Sequence, residues 1–218
     1  MNHAWRCAVV ALFALGACTL RDDTPRNGLP YYRSADRTPE WLRAEQANAP
    51  SMHRVAPFAL RDQHDALVRD SALVSGVTIV HFFYTECGRV CPRSVDSMQR
   101  LLRAMRDQPR LTLLSFSVQP ERDSVAALAM YAEHRGISDA RWHLLTGART
   151  DIEQLATASF LVNLHDGRSY GTDDLAHTET VVLVDQQRRI RGLYNVTLAL
   201  DMQQLESDAR TLLKQAGD

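Results

Sequence analysis

From residue 55 onward the apolar positions switch repeatedly between extended and helical spacing. VAPFALRDQHDALV at 55–68 reads as an extended segment with a turn around Gln63 to Asp65. Val77 to Tyr84 (VTIVHFFY) is β-branched and aromatic without polar alternation, the pattern of a central strand buried on both faces. Pro92 to Asp107 then places Val95, Met98, Leu101, Leu102 and Met105 at helical spacing. A second strand follows at Leu111 to Val118, and a helix is expected from Asp123 to His134, closed by Gly136. Trp142 to Leu145 reads as a short strand. Thr150 with Glu153 forms a Thr-x-x-Glu pattern that predicts a capped helix running to Ala158. Thr180 to Val184 and Ile190 to Tyr194 form a hairpin pattern around Asp185-Gln186-Gln187, and an amphipathic helix closes the chain over Asp201 to Ala216. This order predicts an α/β fold with a central mixed β-sheet flanked by helices.

The first 52 residues follow other rules. Arg6 precedes an apolar run, Cys7 to Ala17, of signal-peptide length and too short for a permanent membrane span. It ends in Leu15-Gly16-Ala17-Cys18, which resembles a bacterial lipobox, so residues 1–17 are expected to be a lipoprotein signal peptide and Cys18 the lipidated residue. Residues 18–52 carry Pro25, Pro30, Pro39, Pro50 and many charges without sustained periodicity. They are expected to be a flexible linker between a lipid anchor and a domain over 53–218. That places the domain on the periplasmic side of a bacterial membrane. The net charge of −1 gives no electrostatic basis for nucleic-acid binding.

The leader also changes the cysteine arithmetic. Of four cysteines, Cys7 leaves with it and Cys18 is taken by the lipid, so only Cys87 and Cys91 remain as thiols. Two sulfurs four positions apart do not staple distant segments, and the pair points to redox or metal chemistry. They lie in FFYTECGRVCP, between the buried strand and the following helix. A helix start offers unpaired N–H groups and the positive end of the macrodipole, both of which favour thiolate over thiol. Soft sulfur ligands select Cu(I), and a further ligand would come from elsewhere in the chain. The eight histidines are candidates. His177 directly precedes the strand at 180–184, and in a thioredoxin-like sheet that loop faces the cysteine-bearing helix, but spacing alone does not choose it.

FFYTECGRVCP, SVQPERDS at 117–124, WHLLTG at 142–147 and AHTETVVLVD at 176–185 together resemble the SCO/SenC family. The resemblance implies a thioredoxin-like fold that binds one copper through Cys87, Cys91 and His177. It also implies a role in assembling the binuclear copper centre of cytochrome c oxidase subunit II, by delivering copper, by reducing the acceptor's cysteines, or both. In the reductive case Cys87 and Cys91 are the catalytic thiols. The chain departs from the family pattern in two places: Gly88-Arg89 stands where Pro-Asp is usual, and Gln119 replaces an Asp. Zinc in a Cys2His site is a third reading. The leading expectation is a copper metallochaperone, with a thiol–disulfide oxidoreductase as the alternative.

Overall fold

The run at 77–83 does become the strand on which everything else is built. The computed structural model describes residues 28–86, 91–164 and 179–216. Within these, β1 (Ala59–Asp62) and β2 (Leu67–Arg69) form a hairpin, followed by β3 (Val77–Phe83) and α2 (Cys91–Ala104), α1 being a short helix at Ala44–Asn48. Then come β4 (Leu111–Ser117), α3 (Val125–Arg135), β5 (Trp142–Thr146), α4 (Arg149–Gln154), β6 (Thr180–Val184), β7 (Ile190–Asn195) and α5 (Ala199–Gln215). One seven-stranded mixed sheet runs in the order β2-β1-β5-β4-β3-β6-β7.

All residues of β3 are buried. It pairs in parallel with β4 and antiparallel with β6. Its side chains alternate between two cores. Val77, Ile79 and Phe83 join the layer under α2, α3 and α5, whereas Val80 and Phe82 join the layer formed with Phe58, Phe116, Ile152 and Phe160. A strand with two covered faces has no room for polar alternation, which is why its sequence is apolar apart from Thr78 and His81. The helical stripe on α2 likewise buries Val95, Met98, Leu101 and Leu102, and Met105 in the turn beyond it.

Several helix starts differ from the expected ones, among them that of α5, which begins at Ala199 instead of Asp201. α3 begins at Val125 because Ser124, not Asp123, caps it, its hydroxyl accepting the Ala127 N–H at 3.3 Å. Asp123 is drawn inward instead, for reasons given below. Gly136 ends α3 with φ +64°, in the left-handed conformation expected of a terminating glycine. The Thr150 capping box does not form. α4 starts two residues earlier, capped at Ala148, and places Thr150 inside the helix. Arg149 is held at this start by the Glu121 carboxylate and the Val118 carbonyl. The helix then widens into a π-turn at Leu155–Ser159, which brings Leu155, Ala156 and Phe160 onto the sheet.

The described part of the expected linker, 28–52, is not a free tether, and this corrects the sequence-based boundary. Tyr31 and Glu40 exchange backbone hydrogen bonds of 2.8 and 2.9 Å, and Tyr32 N–H donates to Ile190 O on β7 at 3.1 Å. Ala47 and Met52 are buried. The cause is a set of buried charges on the β6–β7 hairpin. Asp185 accepts from Arg189 Nε at 2.8 Å and Arg191 Nη1 at 3.2 Å. One carboxylate cannot satisfy two guanidinium groups; Gln187 Oε1 accepts from Arg189 Nη2 at 2.9 Å, and the strap supplies further acceptors. Arg191 donates to the carbonyls of Pro30 and Leu29 at 3.0 and 2.7 Å, and Arg189 donates to that of Ala47 at 3.2 Å. The Tyr31 ring lies 4.0 Å from the Arg191 guanidinium carbon, in cation–π contact. Buried charges of this kind persist only while every partner is present.

Replacing Arg191 with Leu leaves Asp185 paired with Arg189 but strips the Leu29 and Pro30 carbonyls of their donor, and is therefore expected to lower the unfolding free energy by about 1–3 kcal/mol, the usual cost of an unfilled buried polar group. It should also open residues 28–52 to protease. Urea denaturation and limited proteolysis check both effects, and a loss below about 0.5 kcal/mol, typical of a surface change, would contradict this account.

Candidate functional site

Parallel pairing of β3 with β4 requires the intervening helix to carry the chain back along the sheet. α2 therefore begins at the end of the sheet where β3 finishes. Cys91 is the first residue of α2, as the sequence predicts. Cys87, Gly88 and Arg89 lie outside the described residues, as do His177, His165, His3 and the lipidation candidate Cys18. The described residues nonetheless bring the flanks of these segments together. The β3–β6 register runs from Thr78 opposite Val184 to His81 opposite Val181. Val181, four positions after His177, is thereby set opposite His81, six positions before Cys87. The start of β6, the end of β3 and the start of α2 thus share one end of the sheet.

Both flanks are pinned. On the β6 side, Glu179 accepts from Asn195 Nδ2 at 2.7 Å, and its carbonyl accepts the Val196 N–H at 2.8 Å. On the β3 side, the pin is Asp123, only 1% exposed. Its carboxylate accepts the Thr85 N–H at 3.2 Å, the Thr85 hydroxyl, and the Ser117 hydroxyl at 2.5 Å. Ser117 Oγ in turn accepts the Gln119 N–H at 3.1 Å. The Gln119 carbonyl accepts the N–H groups of Arg122 and Asp123, closing the turn. Next to this knot, Arg122 pairs with Glu86 at the surface, 2.5 Å apart. Sequence reasoning took Asp123 only as a helix start. Its presence in SVQPERDS, beside a strand end and a cysteine loop, was the available signal.

Of the other described histidines, His53 and His143 are hydrogen-bonded elsewhere. His53 Nε2 bonds the Ser159 carbonyl at 2.8 Å, and His134 sits in the last turn of α3. His143 Nδ1 lies 2.9 Å from Asp62 Oδ2. Burial pushes the Asp62 carboxyl up, but hydrogen bonds from His143 and from the His64 and Ala66 N–H groups hold it below its ordinary value. Among the described residues, no three His, Cys, Asp or Glu side chains form a metal-holding group.

His81 is different. It is 3% exposed, stacked 6.2 Å from Phe83, and alternates with Ile79 and Phe83 on the α2 face of β3. Burial lowers its pKa to about 4. Because this value lies below that of the unfolded chain, the unfolded state takes up a proton first as the pH falls. Stability is complete above about 6.5 and is lost progressively as the pH drops through the folded value. The loss should reach about 3 kcal/mol, and His81→Phe should abolish this slope between pH 6.5 and 4. Chemical denaturation across that range checks it. An unchanged slope in the variant would assign the acid sensitivity to other groups.

Comparison with known proteins is consistent with this geometry. The SCO1 protein homolog of Bacillus subtilis (strain 168) is 28% identical over 153 residues, 69% of this chain and 78% of that protein. The structure of BsSco, a member of the Sco family of cytochrome c oxidase assembly proteins in which a disulfide switch was identified, superposes with a TM-score of 0.62. It is 25% identical, over 74% of this chain and 94% of that one. Bradyrhizobium japonicum ScoI with copper bound superposes with a TM-score of 0.58 at 26% identity, covering 73% and 99% of the two chains. These neighbours share the thioredoxin-like α/β architecture. Residues 46–214 match the SCO1/SenC family model, and the chain belongs to that family.

Proposed function

We propose that this protein is a copper metallochaperone for cytochrome c oxidase, holding copper as cargo between Cys87, Cys91 and His177. The observation that carries this reading is the shared sheet end. The strand leading to Cys87, the helix that begins with Cys91 and the strand that follows His177 all meet there. The donor set fits the metal: two thiolates suit Cu(I), and an imidazole adds a ligand that Cu(II) favours. The helix start beneath Cys91 favours the thiolate form a metal requires. Copper bound to B. japonicum ScoI and the assembly role of the BsSco family are further support. The acceptor is the binuclear copper site of subunit II or a similar copper-receiving protein. Residues 1–17 serve as the signal peptide in this reading. Cys18 carries the lipid, and the domain works on the periplasmic side of the membrane. No helix among the described residues is long and apolar enough to cross a membrane.

The disulfide switch of BsSco favours a second reading, a thiol–disulfide oxidoreductase acting on the acceptor's cysteines. The thiolate of one cysteine attacks a substrate disulfide, forms a mixed disulfide and releases one substrate thiolate. The other cysteine then attacks the mixed disulfide, which frees the second substrate thiol and leaves Cys87–Cys91 oxidised. Two electrons pass from the dithiol to the substrate, and a separate thiol reductant restores the pair.

Copper titration of the reduced protein separates the two. The metallochaperone reading expects one copper per chain and sulfur-to-Cu(II) charge-transfer absorption. Both should be lost in Cys87→Ala and Cys91→Ala. His177→Ala should weaken Cu(II) more than Cu(I), since two thiolates alone still hold the monovalent ion. Unchanged copper binding after either cysteine substitution would remove the reading. Turnover on a model disulfide without copper binding would favour the oxidoreductase.

A further inference from the structure

Thr85 and Glu86 are the last described residues ahead of Cys87, and each is tied to one of two consecutive residues before α3. Glu86 pairs with Arg122 at the surface, where both side chains are more than half exposed and screening leaves such a pair little energy. Thr85 is tied to Asp123, and this contact differs in kind. A carboxylate 1% exposed is costly unless its lone pairs are filled. Of the three donors that fill them, two come from Thr85 and the third from Ser117 at the end of β4. If Thr85 moved, Asp123 would stay buried with one donor. The satisfaction of the carboxylate and the position of Thr85 are therefore one condition.

We propose that Asp123 is a positioning residue for Cys87. By holding Thr85 to the end of β4, it fixes the chain two residues ahead of this cysteine, so that less conformational freedom is lost when the thiolate engages copper. The proposal rests on the reading of Cys87 as a copper ligand and assigns to that site a residue outside the set of three ligands. Asp123 acts through Thr85, and its effect on copper is one of pre-organisation.

The test uses the reduced full-length chain and the variants Asp123→Asn, Thr85→Val and Thr85→Ser. Three quantities are read: Cu(I) affinity by competition with a chromophoric chelator, the alkylation rate of Cys87 relative to Cys91 by mass spectrometry, and Tm. Asp123→Asn and Thr85→Val should each weaken copper binding about tenfold or more, as loss of an outer-shell partner does. Both should also raise the Cys87 to Cys91 alkylation ratio at least about threefold, whereas Thr85→Ser, which keeps the hydroxyl, should stay within about twofold of wild type. The double variant Asp123→Asn with Thr85→Val should be no weaker than Asp123→Asn alone, because the two act as one unit. A lowered Tm with unchanged affinity and alkylation ratio would overturn the proposal and leave Asp123 a purely structural residue. Should Asp123→Asn fail to fold, the Thr85→Val and Thr85→Ser pair decides by the same readouts. If the wild-type protein binds no copper, the metallochaperone reading fails, and the alkylation ratio alone still decides whether Asp123 positions Cys87.

Discussion

The pairing of β3 between a parallel neighbour and an antiparallel one determines where chemistry can occur in this molecule. The parallel partner β4 forces the chain through α2, so the helix must start where β3 ends. The antiparallel partner β6 must start at that same end. A strand can support both arrangements only if it lies in the middle of the sheet, with both faces covered. Burial of all of Val77–Phe83 meets this condition. The described segments that flank the cysteine pair and the later histidine, far apart in sequence, thereby reach one rim before any side chain is considered.

That rim is bounded by polar pins, and the core stays apolar. Asp123 binds the exit of β3 to the end of β4, and Glu179 binds the entrance of β6 to the start of the β7–α5 turn. Leu164, buried in the layer opposite α2, marks the other flank of the segment that carries His177. Chains that leave and return through fixed points pay less closure entropy than chains with free ends. Exposed ion pairs such as Arg122–Glu86 add little to such an arrangement. The buried acceptors matter because leaving any one unfilled is expensive.

Much of this was legible in the sequence, and the exceptions share a cause. The mostly apolar run at 77–84, the helical stripe from Val95 to Met105 and the hairpin pattern around Asp185 each express burial, which sequence periodicity reports directly. The strap did not, because what holds it is acceptance by backbone carbonyls, and a carbonyl has no sequence signature. The polar, proline-bearing composition of 28–52 describes a segment without a core of its own, which is true. It is silent about Arg189 and Arg191, whose unmet hydrogen bonds draw that segment in. The misplaced start of α3 has the same origin. Asp123 and Ser124 are both good helix caps, and only the tertiary demand of Thr85 and Ser117 assigns the cap to Ser124.

The two poles of the sheet are therefore connected through β6. At one end Asp185 is locked by two arginines and, through them, by the strap. At the other, Glu179 is locked by Asn195. A strand held at both ends cannot slide in register without breaking a buried charge network, and a slip of one residue would also turn Val181 to Val184 inside out. The arginine cluster thus contributes to the site at the opposite end without approaching it. It fixes the register of β6, and the register sets how far along the rim the residues ahead of Thr180 begin. For the proposed site, whose parts come from separate segments, that mechanical constraint would matter to binding as much as the identity of the ligands.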